Sequence, residues 1–279
     1  MYYPLNKIVF SPVVTTRCNL RCNHCGYGCT SKTSNLDADP DKLMESVSHL
    51  YKLFLNYKGD VIVQIGYLGG EPLLYKHLPI LLDFMKSDCP SFNRDIVTNG
   101  IYAPYLKENV LDSLVNNYFQ LDISKYPIEG YNYDKLLHFL KSCGVKSHII
   151  ETEMQHLEGV EQVPQTQSWF HEHFYSGEIK TPPFSNADDC RQVLKGMACT
   201  VIWNEYMFPC SNMFEVFNNQ KSNGKYLDIP FSNLDMWKIK EIKSIEELID
   251  RLHPLYPFCY YCHGGKLRKW STDIKVKLI

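Results

Sequence analysis

Ile8-Val9-Phe10-Ser11-Pro12-Val13-Val14, followed almost at once by Cys18-Asn19-Leu20-Arg21-Cys22-Asn23-His24-Cys25, decides how this chain is to be read. The first run is apolar enough for a buried strand, and the second gathers three thiols in a C-x3-C-x2-C loop at its end. A strand that empties into such a loop sets three soft ligands around one point at the edge of a sheet. Three cysteines cannot close a tetrahedral zinc site, whereas they can hold three irons of a 4Fe–4S cluster and leave the fourth iron open. Taken alone, the spacing also fits a partial zinc site, so the stretches downstream have to decide.

Gly26 to Leu36 is polar and turn-rich and is expected to cover this site. It carries Cys29, read as a shielded loop thiol or as one that faces the substrate. Asp39-Pro40 supplies an N-cap and a first-turn proline for a helix in which Leu43, Val47, Leu50, Phe54 and Tyr57 recur at helical spacing until Gly59. Val61 to Tyr67 reads as the second strand and runs into Gly69-Gly70-Glu71-Pro72, then into a helix through Ile80, Leu81 and Met85. Asp95-Ile96-Val97-Thr98-Asn99-Gly100 is a third strand with its turn, followed by a helix from about Pro104 to Asn116. Tyr118 to Ser124 is the fourth strand, and Asn132 caps a helix that stops at Gly144. Ser147 to Glu151 is a short fifth strand.

Strand alternating with helix five times predicts parallel βαβ units, and right-handed crossovers put every strand C-terminus at one end. The expected fold is therefore α/β, a partial (β/α)5-6 TIM-like barrel over residues 1–152, with its motifs at the C-terminal face. Residues 153–187 are polar, aromatic and proline-bearing, with Pro164, Pro182 and Pro183, and no sixth strand can be placed in them. They read as a connecting segment that lines a substrate pocket, with Trp169, His171, His173 and Tyr175 as its aromatic and polar wall. Residues 188–279 read as a separate small module. Its elements are a hairpin turning at Asn204-Glu205, and a helix that opens on the capping box Ser244-Ile245-Glu246-Glu247.

Composition narrows the class. At 279 residues, 44% hydrophobic and 22% charged, the chain has an ordinary globular make-up and can bury a large core. A net charge of −2 offers no electrostatic grip on nucleic acid or an anionic membrane. No apolar run approaches the roughly 18 residues of a membrane span. Met1 to Lys7 lacks the pattern of a secretory signal. Eleven cysteines without such a signal argue for metal or iron–sulfur chemistry in a reducing cytoplasm rather than for disulfides.

The C-x3-C-x2-C loop after the first strand, Gly69-Gly70-Glu71-Pro72 after the second and Thr98-Asn99-Gly100 after the third resemble the core motifs of the radical S-adenosylmethionine (SAM) superfamily. The resemblance covers residues 8 to about 151. It implies that Cys18, Cys22 and Cys25 hold a 4Fe–4S cluster whose open iron chelates SAM, with His24 in the family's aromatic position beside the adenine. It further implies that Gly69, Gly70, Glu71 and Pro72 receive the methionine part of SAM, Glu71 accepting from its ammonium group. Asn99 belongs to the shape-determining turn. Ser124, and Asp122 on the same strand face, stand where members keep polar groups for the carboxylate or ribose, and Ile150 stands beside the adenine. The chemistry implied is reductive cleavage of SAM to a 5′-deoxyadenosyl radical that takes a hydrogen atom from substrate, with flavodoxin or ferredoxin as electron donor.

Cys190, Cys210, Cys259 and Cys262 form a second set, C-x19-C-x48-C-x2-C, which fits a four-thiolate zinc site or a 4Fe–4S cluster. Behind a radical SAM core it resembles a SPASM or twitch domain, with a single auxiliary 4Fe–4S cluster because no cysteine follows Cys262. Glu205 stands where that pattern has glycine, and Cys199 competes with Cys190 as first ligand. If Cys190 is the ligand, Cys199 is free to give a hydrogen atom to a substrate radical. Two functions are open: an oxidoreductase acting on a small polar substrate, or a peptide maturase that crosslinks or epimerises a residue. The first strand begins by about residue 8, which leaves no room for a leader-binding domain and counts against a leader-dependent maturase. A non-catalytic iron–sulfur or zinc module is the third and least expected reading.

Overall fold

The computed structural model describes residues 6–22, 25–29, 35–150, 169–175, 197–223, 235–252 and 262–269. Strand β1 (Lys7–Thr15) leads into the cysteine loop, and helix α1 (Pro40–Asn56) returns the chain. The Asp39 carboxylate caps α1 by accepting from the N–H groups of Asp41 and Lys42, and Leu43, Val47 and Leu50 carry its buried face. Then follow β2 (Ile62–Gly69), α2 (Leu78–Asp88), β3 (Asp95–Thr98), α3 (Glu108–Asn116), β4 (Gln120–Ser124), α4 (Tyr133–Ser142) and β5 (Lys146–Ile150). Asn132 caps α4 through the Lys135 N–H, and Gly144 beyond its end takes φ +75°, both as the sequence predicts.

Beyond them lie β6 (Trp169–Tyr175), β7 (Met197–Trp203), β8 (Tyr206–Phe208), α5 (Ser211–Asn223), β9 (Trp237–Lys238), α6 (Ile245–Leu252) and β10 (Cys262–Lys269). Eight of the strands form one open sheet in the order β5-β4-β3-β2-β1-β7-β8-β9. β1 to β5 and β7 run parallel, β8 pairs antiparallel with β7, and β9 pairs antiparallel with β8. This is the expected mixed α/β partial barrel, not closed among the described residues.

Three details differ from the sequence reading. The helix placed from Pro104 starts at Glu108, because Leu106 and Lys107 are extended and cut off a separate 3-10 turn, Ala103–Tyr105. The segment in which no sixth strand could be placed contains β6, whose partner is not the barrel but β10, antiparallel from Cys262↔Tyr175 to Lys269↔Trp169. The hairpin turns at Asn204-Glu205 as expected, yet its first strand lies parallel to β1, Val9 opposite Cys199, so it extends the core sheet.

One face of the sheet is the hydrophobic core. Ile8, Phe10, Ile65, Tyr67, Ile96, Leu121 and Ile123 pack there with Leu43, Leu50, Leu81 and Met85 of the helices. The other face carries the alternate residues, Val9, Gln64, Asp95, Val97, Gln120 and Asp122, none of which is in that core. No helix among the described residues is long and apolar enough to cross a membrane.

Candidate active site

The strand C-termini meet at a cavity of about 260 Å³. Cys18, Cys22 and Cys25 line it from the loop after β1, Leu68, Gly69 and Gly70 from β2, Thr98 and Asn99 from β3, and Ser124 and Tyr126 from β4. The loops are joined by hydrogen bonds and by a small apolar cluster in which Leu20 and Cys22 meet Ile101 of the loop after β3. Gly70 N donates to Thr15 O (2.7 Å) and Glu71 N to Arg17 O (2.7 Å), which lays the glycine loop along the backbone that precedes Cys18. A Cβ on Gly70 would stand 2.1 Å from Arg17 O, and Gly69 takes φ +144°, so both glycines are demanded by this backbone contact itself.

The Arg17 guanidinium spans the same junction. It pairs with Asp37 at 3.0 and 2.8 Å and reaches Leu74 O at 3.1 Å.

Glu71 is fully buried. Its Oε1 accepts from Thr98 Oγ1 (2.6 Å) and Leu73 N (3.0 Å), and its Oε2 accepts from Asn99 N (2.9 Å). Burial pushes its carboxyl up to about 7, against the three donors, which pull it down. The carboxylate therefore ties the β2 loop to the β3 turn and does not line the cavity. Pro72 is buried beside it at the start of a 3-10 turn, Pro72–Leu74. Asn99 completes the fastening, its Nδ2 donating to Asn19 Oδ1 in the cysteine loop at 2.8 Å.

Within that loop, Leu20 N donates to Cys18 Sγ at 3.4 Å. Burial, then the Glu71 charge, pushes the Cys18 thiol well up. A hydrogen bond from Cys29 brings Cys25 down to about 7, and the same bond is the first cause of a raised Cys29. Among the described residues no three or more His, Cys, Asp or Glu stand close enough to hold a single metal ion. The thiols are set along a cavity wall, a soft donor set that fits a multi-iron cluster with room beside it for a small ligand.

Other expected residues lie apart from the cavity. Asp122 is one step below Ser124 on the open face of the sheet, where its Oδ1 lies 2.9 Å from His148 Nδ1 and accepts from Gln120 Nε2 at 2.9 Å. Gln64 Nε2 donates to Asp95 Oδ2 (3.0 Å) on the same face, and the register sets Asp95 beside Gln120 and Val97 beside Asp122. Sequence reasoning did not find this row, because its members are single polar residues at alternate positions of four strands. Ile150 pairs with Ser124 at the end of β5. Cys199, half-buried on β7, does not line the cavity. Cys210 is half-buried just after β8, and Cys262 opens β10. His24, Cys190 and Cys259 lie outside the described residues.

No protein-family model matches the chain. It is similar to a GTP 3′,8-cyclase of Clostridium acetobutylicum, 28% identical over 127 residues that cover 45% of this chain and 37% of the cyclase. It is also similar to a GTP 3′,8-cyclase of Chlorobaculum tepidum, 33% identical over 103 residues that cover 37% and 27% of the two chains. The chain thus spans about a third of the length of these relatives. Among solved structures it is similar to BtrN in complex with AdoMet and 2-DOIA, at 16% identity and TM-score 0.47, covering 91% of this chain and 92% of that one. Streptococcus suis SuiB bound to precursor peptide SuiA is similar at 19% identity and TM-score 0.39, covering 53% and 32%. The cysteine loop, the glycine loop at the next strand end and the cyclase matches support the resemblance of the chain to the radical SAM superfamily.

Proposed function

We propose that the chain is an iron–sulfur oxidoreductase that holds a 4Fe–4S cluster on Cys18, Cys22 and Cys25, with SAM on the open iron. It removes a hydrogen atom from a small polar substrate. The observation that supports this best is the convergence of the three thiols with Gly69, Gly70, Asn99 and Ser124 on one cavity at the ends of parallel strands. Bound there, the cluster and SAM supply the one-electron chemistry that side chains cannot.

The chain's own residues fix the geometry. The Leu20 N–H stabilises sulfur charge on Cys18. The glycine loop, held against Thr15 and Arg17, offers bare backbone to the methionine part of SAM, and Glu71 holds that loop in place rather than meeting the ammonium group. Ser124 and Ile150, paired across β4 and β5, serve the ribose and adenine, with His24 as a further contact. Asp122, His148, Gln120, Asp95 and Gln64 form a hydrogen-bonding row on the open face below, suited to hydroxyl or amino groups of a small substrate.

Residues 188–279 are proposed to hold a second 4Fe–4S cluster on Cys190, Cys210, Cys259 and Cys262, a group that would supply a one-electron acceptor for the oxidation. Cys199 is the alternative first ligand or, if free, a hydrogen-atom donor. Reduced flavodoxin or ferredoxin supplies the first electron.

Anaerobic reconstitution, with iron and sulfide measured per chain, tests the proposal in the wild type and a Cys18→Ala/Cys22→Ala/Cys25→Ala variant. About eight irons falling to about four supports two clusters. About four falling to none removes the auxiliary cluster and with it the oxidation step, favouring a redox-neutral radical reaction. No iron in the wild type overturns the whole reading.

A further inference from the structure

The loop between β4 and α4 has no part in the proposed function, yet it packs on the cysteine loop. Leu20 (2% exposed), Cys22 (8%) and Ile101 (6%) form a buried cluster of their own, separate from the main core. Tyr126, Ile128 and Tyr131 pack against that cluster, as do Cys18 and Cys25, and Tyr126 also lines the cavity. Along Lys125-Tyr126-Pro127-Ile128-Glu129 the first, third and fifth residues are exposed, while Tyr126 and Ile128 are half-buried. The loop therefore has an apolar inner side and a polar outer one, although it is not a strand.

Its shape is fixed by its own bonds. The Ile128 N–H donates to Tyr126 O at 2.8 Å, and the Tyr131 N–H to Ile128 O at 3.2 Å. The Tyr126 N–H donates to Tyr133 Oη, at the start of α4, at 2.9 Å. Tyr131 Oη donates to Gly100 O in the turn after β3 at 3.0 Å, and the Tyr131 ring meets that of Tyr133 edge to face, centroids 4.8 Å apart. The backbone around Tyr126 is thus tied both to α4 and to the neighbouring strand end.

We propose that this loop, through Tyr126, is a water-excluding wall for the first cluster and holds its reduction potential low. The inference rests on the cluster reading given above. The cavity's walls are not alike: Gly69, Gly70, Thr98, Asn99 and Ser124 offer backbone and polar groups, whereas Leu20, Ile101 and Tyr126 put hydrocarbon and a ring beside the thiols. Reduction adds a negative charge, which an apolar surrounding stabilises less well than water does. Solvent exposure is among the levers that set cluster potentials, and the apolar shell around a metal site controls that exposure. Because the buried cluster stands apart from the main core, its apolar residues shield the thiols rather than fill the sheet. Tyr126 acts here as a positioning residue through the bulk of its ring.

The test is an EPR-monitored redox titration of the anaerobically reconstituted full chain without SAM, as wild type, Tyr126→Ala and Tyr126→Phe, with iron per chain measured on the same samples. The signal followed is the one that disappears in the Cys18→Ala/Cys22→Ala/Cys25→Ala protein. Its spin-echo modulation by deuterium after exchange into heavy water reports water beside the cluster. Tyr126→Ala is expected to keep its iron, to shift to a less negative midpoint and to show deeper deuterium modulation, while Tyr126→Phe, which keeps the ring, stays at the wild-type values. An unchanged midpoint and modulation in Tyr126→Ala overturn the inference and leave the cluster reading standing. A Tyr126→Phe protein that behaves like Tyr126→Ala also overturns it, by assigning the effect to the hydroxyl. If Tyr126→Ala takes up no iron, Ile128→Ser opens the same wall and decides: a wild-type midpoint overturns the inference, a less negative one supports it. A wild type without the signal sinks the cluster reading itself.

Discussion

Thr98 Oγ1 lies 2.6 Å from Glu71 Oε1, inside the protein, and joins the loop after β2 to the turn after β3. The donors from Thr98, Asn99 and Leu73 favour the carboxylate, while burial favours the acid and wins, raising the carboxyl from 4.5 to about 7. A raised folded-state value means that Glu71 contributes stability which is fully present below 4.5 and is lost as the pH rises through about 7. Glu71→Gln cannot titrate, so the stability of wild type relative to this variant should fall between those values, by at most about 3 kcal/mol. Thermal unfolding of both proteins across pH 4.5 to 8 measures it, and parallel curves would refute the assignment.

Asn218 brings a helix from the C-terminal third of the chain onto the cysteine loop. Asn218→Ala removes both donations and leaves buried carbonyls with fewer partners, at a cost of about 1–3 kcal/mol. Beyond the drop in melting temperature, the reconstituted variant should lose iron faster to a chelator than the wild type. Equal rates would mean that α5 supports the fold without positioning the thiols.

Much of this architecture was legible in local sequence. Asp39 and Asn132 announce their helices through caps, and the alternation in Val63, Ile65 and Tyr67 marks a strand with one buried face. The cysteine and glycine loops mark the site because each follows directly on a strand. What could not be read is long-range pairing. Cys199 to Trp203 reads as a strand, but nothing in it says that it joins the free edge of β1, and Trp169–Tyr175 finds its partner in the remote Cys262–Lys269. Nor could a helical asparagine such as Asn218 be read as a clamp, or Glu71 as an inward-facing tie, since both roles depend on loops meeting in space.

Gly26 and Gly70 line the same cavity, yet differ in the room behind them. A Cβ at Gly70 would meet Arg17 O at 2.1 Å and the Arg17 and Thr16 carbonyl carbons within 3 Å, all of them backbone, whereas at Gly26 the nearest atom is Ser211 Oγ at 3.9 Å. Gly70→Ala should therefore destabilise the protein by about 1–3 kcal/mol and reduce the iron taken up on reconstitution, while Gly26→Ala should unfold close to wild type. Similar melting temperatures for the two variants would show that the glycine loop is not held against Arg17.

Asp122 and Ser124 point to the same side of β4, but only Ser124 reaches the cavity, and the Asp122 carboxylate is taken up by His148 and Gln120. If SAM occupies the cavity, its affinity depends on the upper residue and not on the lower. Ser124→Ala removes one neutral hydrogen bond and should weaken SAM binding by roughly 2- to 10-fold, the range that about 0.5–1.5 kcal/mol allows. Asp122→Asn should leave SAM affinity within about 2-fold of wild type, because the amide Oδ1 can still accept from Gln120. Equilibrium binding of SAM to the reconstituted proteins separates the two. A large loss in Asp122→Asn would move this carboxylate, and the row built around it, from the substrate to SAM.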